Sequence, residues 1–148
     1  MLKVRARGFS LIELLIVIAV ISILAGIALP RLRGTQEEGG IAQAKSDLRT
    51  LQTAMESYYI HTGAYPAALT GLTSAVPNII GSVLPTDPFK VGVNYVLATD
   101  GAAPVNYYVI YSVGTAGVGT ASVTAAGVAS DTSTAIYVTN GSPKDTSP

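Results

Sequence analysis

Over residues 9–29 the chain is apolar almost without interruption, with polar side chains only at Ser10, Glu13 and Ser22. As a helix these 21 residues reach roughly 31 Å, close to the ~30 Å hydrocarbon core of a bilayer. The pattern then changes. Ile41, Ala44, Leu48, Leu51, Met55 and Tyr58 recur at alternating spacings of three and four, which draws one apolar stripe along a helix and predicts packing on a globular domain. The intervening Lys45, Asp47, Arg49 and Glu56 read as the solvated face. Between the two patterns stands Pro30. A proline inside a helix removes one backbone hydrogen bond and crowds the preceding turn, so a kink or local melting is expected there. Gly34, Gly39 and Gly40 weaken the same stretch.

His61-Thr62-Gly63-Ala64-Tyr65-Pro66 reads as a helix stop, with Gly63 available for a left-handed cap and Pro66 preventing continuation. Breakers at Gly71, Pro77, Gly81, Pro85, Pro88 and Gly92 make residues 67–92 a structured connection with room for short helical turns. Residues 93–98, 106–113 and 134–139 are rich in Val, Ile and Tyr and predict an antiparallel sheet of three or four strands. Alternation at Tyr107, Val109, Tyr111 and Val113 marks one strand face as apolar, and that face is expected to cover the stripe of residues 41–58. The small-residue stretch 114–130 reads as a surface loop or weak edge hairpin, and 142–148 as a frayed tail. The expected class is therefore α+β: a long N-terminal helix whose second half packs on a small antiparallel sheet. Its expected divisions are 1–8 leader, 9–29 apolar helix, 30–62 amphipathic continuation, 63–92 connection, 93–141 head and 142–148 tail.

Charge and composition narrow the chemistry. Formal net charge is zero, but Lys3, Arg5 and Arg7 precede the apolar run, which by the positive-inside tendency keeps residues 1–8 cytoplasmic and sends the rest outward. Without those three, six basic residues face nine acidic ones, so no basic surface for nucleic-acid phosphates is expected. The absence of cysteine excludes disulfides, thiolate metal sites and thiol nucleophiles. His61, the only histidine, has no second ligand candidate near it in sequence and is given no function. One histidine with scattered aspartates does not make a catalytic cluster, so no enzyme activity is expected. Eight tyrosines are ordinary strand and interface residues, and composition alone does not support charge transport.

An ordinary secretory signal also has a basic start, an apolar stretch and small residues, here at 25–28. Glu13 argues otherwise. A carboxylate within an apolar helix costs on the order of 2–3 kcal/mol on insertion scales, and a disposable signal has no use for it. Gly8-Phe9-Ser10-Leu11-Ile12-Glu13, followed by the apolar helix, resembles the processing motif of type IV pilins and pseudopilins. The resemblance implies that a prepilin peptidase cuts between Gly8 and Phe9 and that the new Phe9 amine is methylated. It also implies that Glu13 meets the N-terminal ammonium of a neighbouring subunit when the chain polymerises with copies of itself. The physics agrees, because a misregistered subunit leaves both charges unpaired in an apolar bundle. An inner-membrane assembly platform, membrane lipid before assembly, and a single-pass bacterial inner-membrane location followed by a periplasmic or cell-surface filament are implied in the same way.

A second resemblance, carried by Leu84-Pro85-Thr86-Asp87-Pro88-Phe89, Tyr95 and Tyr111-Ser112-Val113-Gly114, is to the major pseudopilin of type II secretion. Members of that group usually bind calcium in a C-terminal loop, yet between Gly114 and Asn140 this chain has only Asp131 as a carboxylate. No calcium or other cofactor is therefore expected unless Asp100 or Asp145 folds alongside. Two alternatives stay open at this stage: a true type IV pilin for adhesion, motility or DNA uptake, and a monomeric membrane-anchored binding protein.

Overall fold

The computed structural model describes residues 9–132 and 134–143 of the chain. Its longest element is helix α1, Leu11–Thr62. Helical structure continues through position 30, so the melting expected at Pro30 does not occur: the loss of one backbone hydrogen bond is absorbed by a helix that is bonded on both sides. By its internal contacts the chain forms two units, Met1–Glu37 and Glu38–Pro148.

Over residues 9–28 of the first unit, the apolar side chains lie in the open. The window Leu11–Ala28 has a mean hydropathy of 2.8 and none of it is buried against the chain. Leu11 is 87% exposed and Ile23 66%. Ser22, a polar interruption, satisfies itself by donating its hydroxyl to the Ile18 carbonyl at 2.7 Å, the usual way a helix carries serine through an apolar environment.

In the second unit α1 ends where the sequence predicts. Gly63 takes φ 78°, and its N–H donates to the Tyr59 carbonyl at 2.8 Å. A short helix α2, Thr70–Ser74, follows within the connection. Strands β1 (Val96–Thr99), β2 (Tyr108–Ser112) and β5 (Ile136–Thr139) form an antiparallel sheet in the order β1-β2-β5, close to the three predicted strands. A second sheet joins β3 (Ala121–Val123), β4 (Val128–Asp131) and β6 (Ser142–Pro143). The small-residue stretch is thus an ordered hairpin, β3 against β4, and the expected frayed tail begins by pairing Ser142 and Pro143 parallel to β4.

Two clusters of side chains hold this unit together. In the first, Ala44, Leu48, Leu51 and Met55 from α1 pack with Leu69, Leu72, Tyr95, Tyr108 and Ile110. Each large buried side chain contributes roughly 1.5–3 kcal/mol relative to exposure. In the second, Val109 packs with Ala121, Val123 and Ala129, flanked by Tyr107, Tyr111 and Tyr137. The helix stripe is as predicted, but the strand face is the opposite one. Tyr108 and Ile110 meet the helix, and the Tyr107–Val109–Tyr111 face is covered by the second sheet. Both faces of β2 are apolar because each has a layer to meet, and alternation alone does not say which layer.

Candidate functional site

The candidate assembly site lies at the start of α1. Phe9 is 76% exposed, and the first turn closes with the Glu13 and Leu14 N–H groups donating to the Ser10 carbonyl at 3.1 and 3.2 Å. Glu13 is exposed in that first turn, where unpaired N–H groups favour a negative charge. It has no ion-pair partner among the described residues. Beside it run Leu14, Leu15, Ile16, Val17 and Ile18, all exposed large apolar residues. One carboxylate in an otherwise apolar, uncovered helix can do one thing well: select a single cationic partner in a low-dielectric setting, where leaving it unpaired is costly. Gly8, on the other side of the expected cleavage point, and the basic Lys3, Arg5 and Arg7 lie outside the described residues.

The head is built around a second carboxylate, Asp87, only 4% exposed. Its Oδ1 accepts from the Ser112 hydroxyl at 2.9 Å and the Phe89 N–H at 3.0 Å, and its Oδ2 accepts from the Val113 N–H at 2.9 Å. Ser112 Oγ in turn accepts from the Gly114 N–H at 3.1 Å. The motifs 84–89 and 111–114, distant in sequence, are therefore one structural unit, a loop pinned to the end of β2. Gly114 is required there. Its φ is +69°, and a Cβ would collide with the Thr134 carbonyl.

Two helix carboxylates depart from the expected solvated face. Glu56 accepts from the Tyr65 hydroxyl at 3.0 and 3.2 Å and from the Tyr108 hydroxyl at 3.1 Å, and Asp47 accepts from Tyr95 at 3.0 Å. Lys45 and Arg49 are exposed as predicted. The signal for Asp47 was its position four residues before Leu51, at the edge of the stripe, in a chain with many tyrosines. Burial, then the neighbouring carboxylate, pushes the Tyr108 and Tyr95 hydroxyls well above the ordinary tyrosine range; Tyr65 is raised by burial and by its bond to Glu56. Tyr65 also stacks on Tyr59 at 4.7 Å between ring centroids and meets Tyr108 edge-on at 4.9 Å. His61 is exposed near the helix end, its Nδ1 2.8 Å from the Ser57 carbonyl.

Asp100 is occupied locally. Its Oδ1 accepts from the Ala102 N–H at 3.1 Å and its Oδ2 from the N–H groups of Asn106 and Tyr107 at 3.3 and 3.2 Å. No group of three or more His, Cys, Asp or Glu side chains comes together among the described residues. Asp145, the other carboxylate the sequence offers for a calcium site, lies outside the described residues.

An exposed apolar helix of membrane-spanning length carrying one carboxylate, ahead of a small α+β head, defines the pilin-like class of protein. Residues 3–29 match the family described as the prokaryotic N-terminal methylation motif, and residues 31–131 match that of type II secretion system protein G. The chain belongs to the type II secretion system protein G family, the major pseudopilins. It is 34% identical over 110 residues to the type II secretion system core protein G of Escherichia coli, covering 66% of this chain and 74% of that protein. With the core protein G of Aeromonas hydrophila it shares 36% over 76 residues, 51% of this chain and 53% of the relative. The core protein G of Pectobacterium carotovorum matches at 35% over 72 residues, 49% of this chain and 46% of that one, so the chain spans about half the length of several of these relatives. The type IV major pilin protein PilA of Myxococcus xanthus is 44% identical over 61 residues, 41% of this chain and 28% of PilA. No solved structure matches significantly.

Proposed function

We propose that this chain is a structural subunit of a type II secretion pseudopilus, made as a membrane-anchored precursor and polymerised through α1. The observation that carries this reading is the uncovered apolar window Leu11–Ala28 with Glu13 in its first turn. Such a surface needs lipid before assembly and copies of itself afterwards. Prepilin peptidase cuts between Gly8 and Phe9 on the cytoplasmic side, and the Phe9 amine is methylated. The head lies outside the cytoplasm, and an inner-membrane platform draws the helix out of the bilayer. The Glu13 carboxylate of an incoming subunit then pairs with the Phe9 ammonium of its neighbour and sets axial register. The work is structural and includes no catalytic step. The family match across 31–131, most of the head, favours a secretion pseudopilus over a surface pilus.

Intact mass and N-terminal sequencing of the protein from its native membrane test the reading. A chain beginning at N-methylated Phe9 is the expected result; cleavage near Ala28, or an uncut Met1 chain, overturns it. We further propose that the head folds without calcium, since Asp87 and Asp100 each already accept three internal hydrogen bonds. Chelation is then expected to leave the melting temperature of the full chain in detergent unchanged, and a drop of several degrees on adding EDTA refutes this.

A further inference from the structure

The second unit carries an exposed charge pattern that no contact among the described residues uses. Glu38, Lys45 and Arg49 are all exposed, and none has an ion-pair partner among the described residues. At about 100° per residue, Lys45 and Arg49 fall within about 20° on either side of the line through Glu38. The buried stripe of Ala44, Leu48, Leu51 and Met55 is centred about 110° around the helix from that line. One stripe therefore holds an acid, then two bases about 10 and 16 Å further along the axis.

The ground beside the bases is low. Ala42, Ser46, Thr50 and Thr53 line an open groove with Lys45 and Arg49. Thr50 and Thr53 turn their hydroxyls back to the Ser46 and Arg49 carbonyls at 3.1 and 3.0 Å, so at these two positions an approaching helix meets methyl groups.

We propose that this stripe is a docking surface for a second copy of the same chain, with Glu38 of one copy seated against Lys45 and Arg49 of another displaced along the helix axis. The inference rests on the filament reading, in which copies entering by the same helix run parallel. Acid and base on one line, separated along the axis, cannot satisfy each other within a chain. Between parallel copies they pair head to tail, a heterologous contact that repeats without closing and so builds an open helical polymer. Charge complementarity of this kind fixes register and penalises sliding, because displaced copies bring bases against bases.

The test is a charge swap scored by the assembled fraction in cells that make filaments from the unsubstituted chain. Glu38→Lys alone, and Lys45→Glu with Arg49→Glu, are each expected to lower assembly roughly tenfold, and the combined triple substitution to recover most of it. A cysteine-free chain permits a direct check. In Glu38→Cys/Lys45→Cys, residues seven apart on one helix lie about 10 Å apart, beyond the ~7 Å limit for a disulfide, so any bond formed joins two copies. Oxidised filaments of this variant, or of Glu38→Cys/Arg49→Cys, are expected to give a ladder of linked chains, and detergent-dispersed monomer none. Neutral single-sign reversals, a triple variant no better than its parents, or filaments without a ladder overturn the inference. If Phe9 is unprocessed and the unsubstituted chain makes no filaments, the proposed function falls and this inference with it. If the chain polymerises and Glu13→Ala is defective while the stripe variants are normal, only the inference falls.

Discussion

Residues 11–28 and residues 38–143 handle apolar surface in opposite ways. In the first segment large side chains such as Leu11 and Ile23 remain uncovered by the chain; in the second, Leu48, Leu51, Met55 and Ile110 are fully buried. The same contrast governs carboxylates. Glu13 has no ion-pair partner among the described residues, whereas Asp87 is surrounded by three donors and Glu56 by two tyrosine hydroxyls. A group without an internal partner signals a contact made elsewhere. A saturated group signals a fold that is complete without help.

The sharpest way to break this contrast is to exchange the fates of the two carboxylates. Glu13→Ala is expected to abolish or reduce filament formation by at least roughly tenfold while leaving the melting temperature of the detergent-solubilised chain unchanged. Normal polymer yield from this variant contradicts the register role. Asp87→Ala is expected to do the reverse. It strands the Ser112 hydroxyl and the Val113 N–H without acceptor, and roughly 3 kcal/mol of head stability goes with them, read by denaturant unfolding of the full chain. Leu48→Ala, which opens a cavity beneath β2, belongs in the same range, about 2–5 kcal/mol.

A pH titration sharpens the comparison further. Tyr108, Tyr95 and Tyr65 have hydroxyls raised above the ordinary value of 10.0 in the folded head. The folded state then holds its protons where the unfolded chain releases them. Their contribution is full below pH 10.0 and declines as pH rises above it toward the folded values. Unfolding of the head is expected to become easier above that pH, and Tyr108→Phe to flatten the decline. An unchanged slope in Tyr108→Phe removes Tyr108 from the account.

The smallest effect concerns two adjacent glycines. A Cβ on Gly39 meets nothing within 4 Å, so Gly39→Ala is expected to raise stability by roughly 0.5–1 kcal/mol through helix propensity alone. At Gly40 the Phe89 ring stands 3.0 Å from where a Cβ would be, so Gly40→Ala forfeits that gain by pushing the ring aside. Equal thermal shifts for the two variants would mean that Phe89 moves freely.

Much of this molecule was legible one residue at a time. The apolar run, its carboxylate, the stripe from Ala44 to Met55 and the stop at Gly63 depend on spacing along one helix, and a helix has a single period. The pilin-like motif at 8–13 required no folding at all to be recognised. Asp87 was visible as part of a motif, but its purpose was not, because its partner Ser112 lies 25 residues away.

Sequence alone thus determined that a membrane-length helix with one charge precedes an α+β head, since local periodicity and desolvation set both. Tertiary structure decided the rest. It placed the Tyr108–Ile110 face of β2 on the helix and gave the Tyr107–Val109 face to the hairpin 121–131. It turned a small-residue stretch into a covering layer, and it drew Asp47 and Glu56 under tyrosine hydroxyls. The physical reason is common to all three: an alternating strand offers two apolar faces and an edge carboxylate two environments, and only the elements packed against them choose between them.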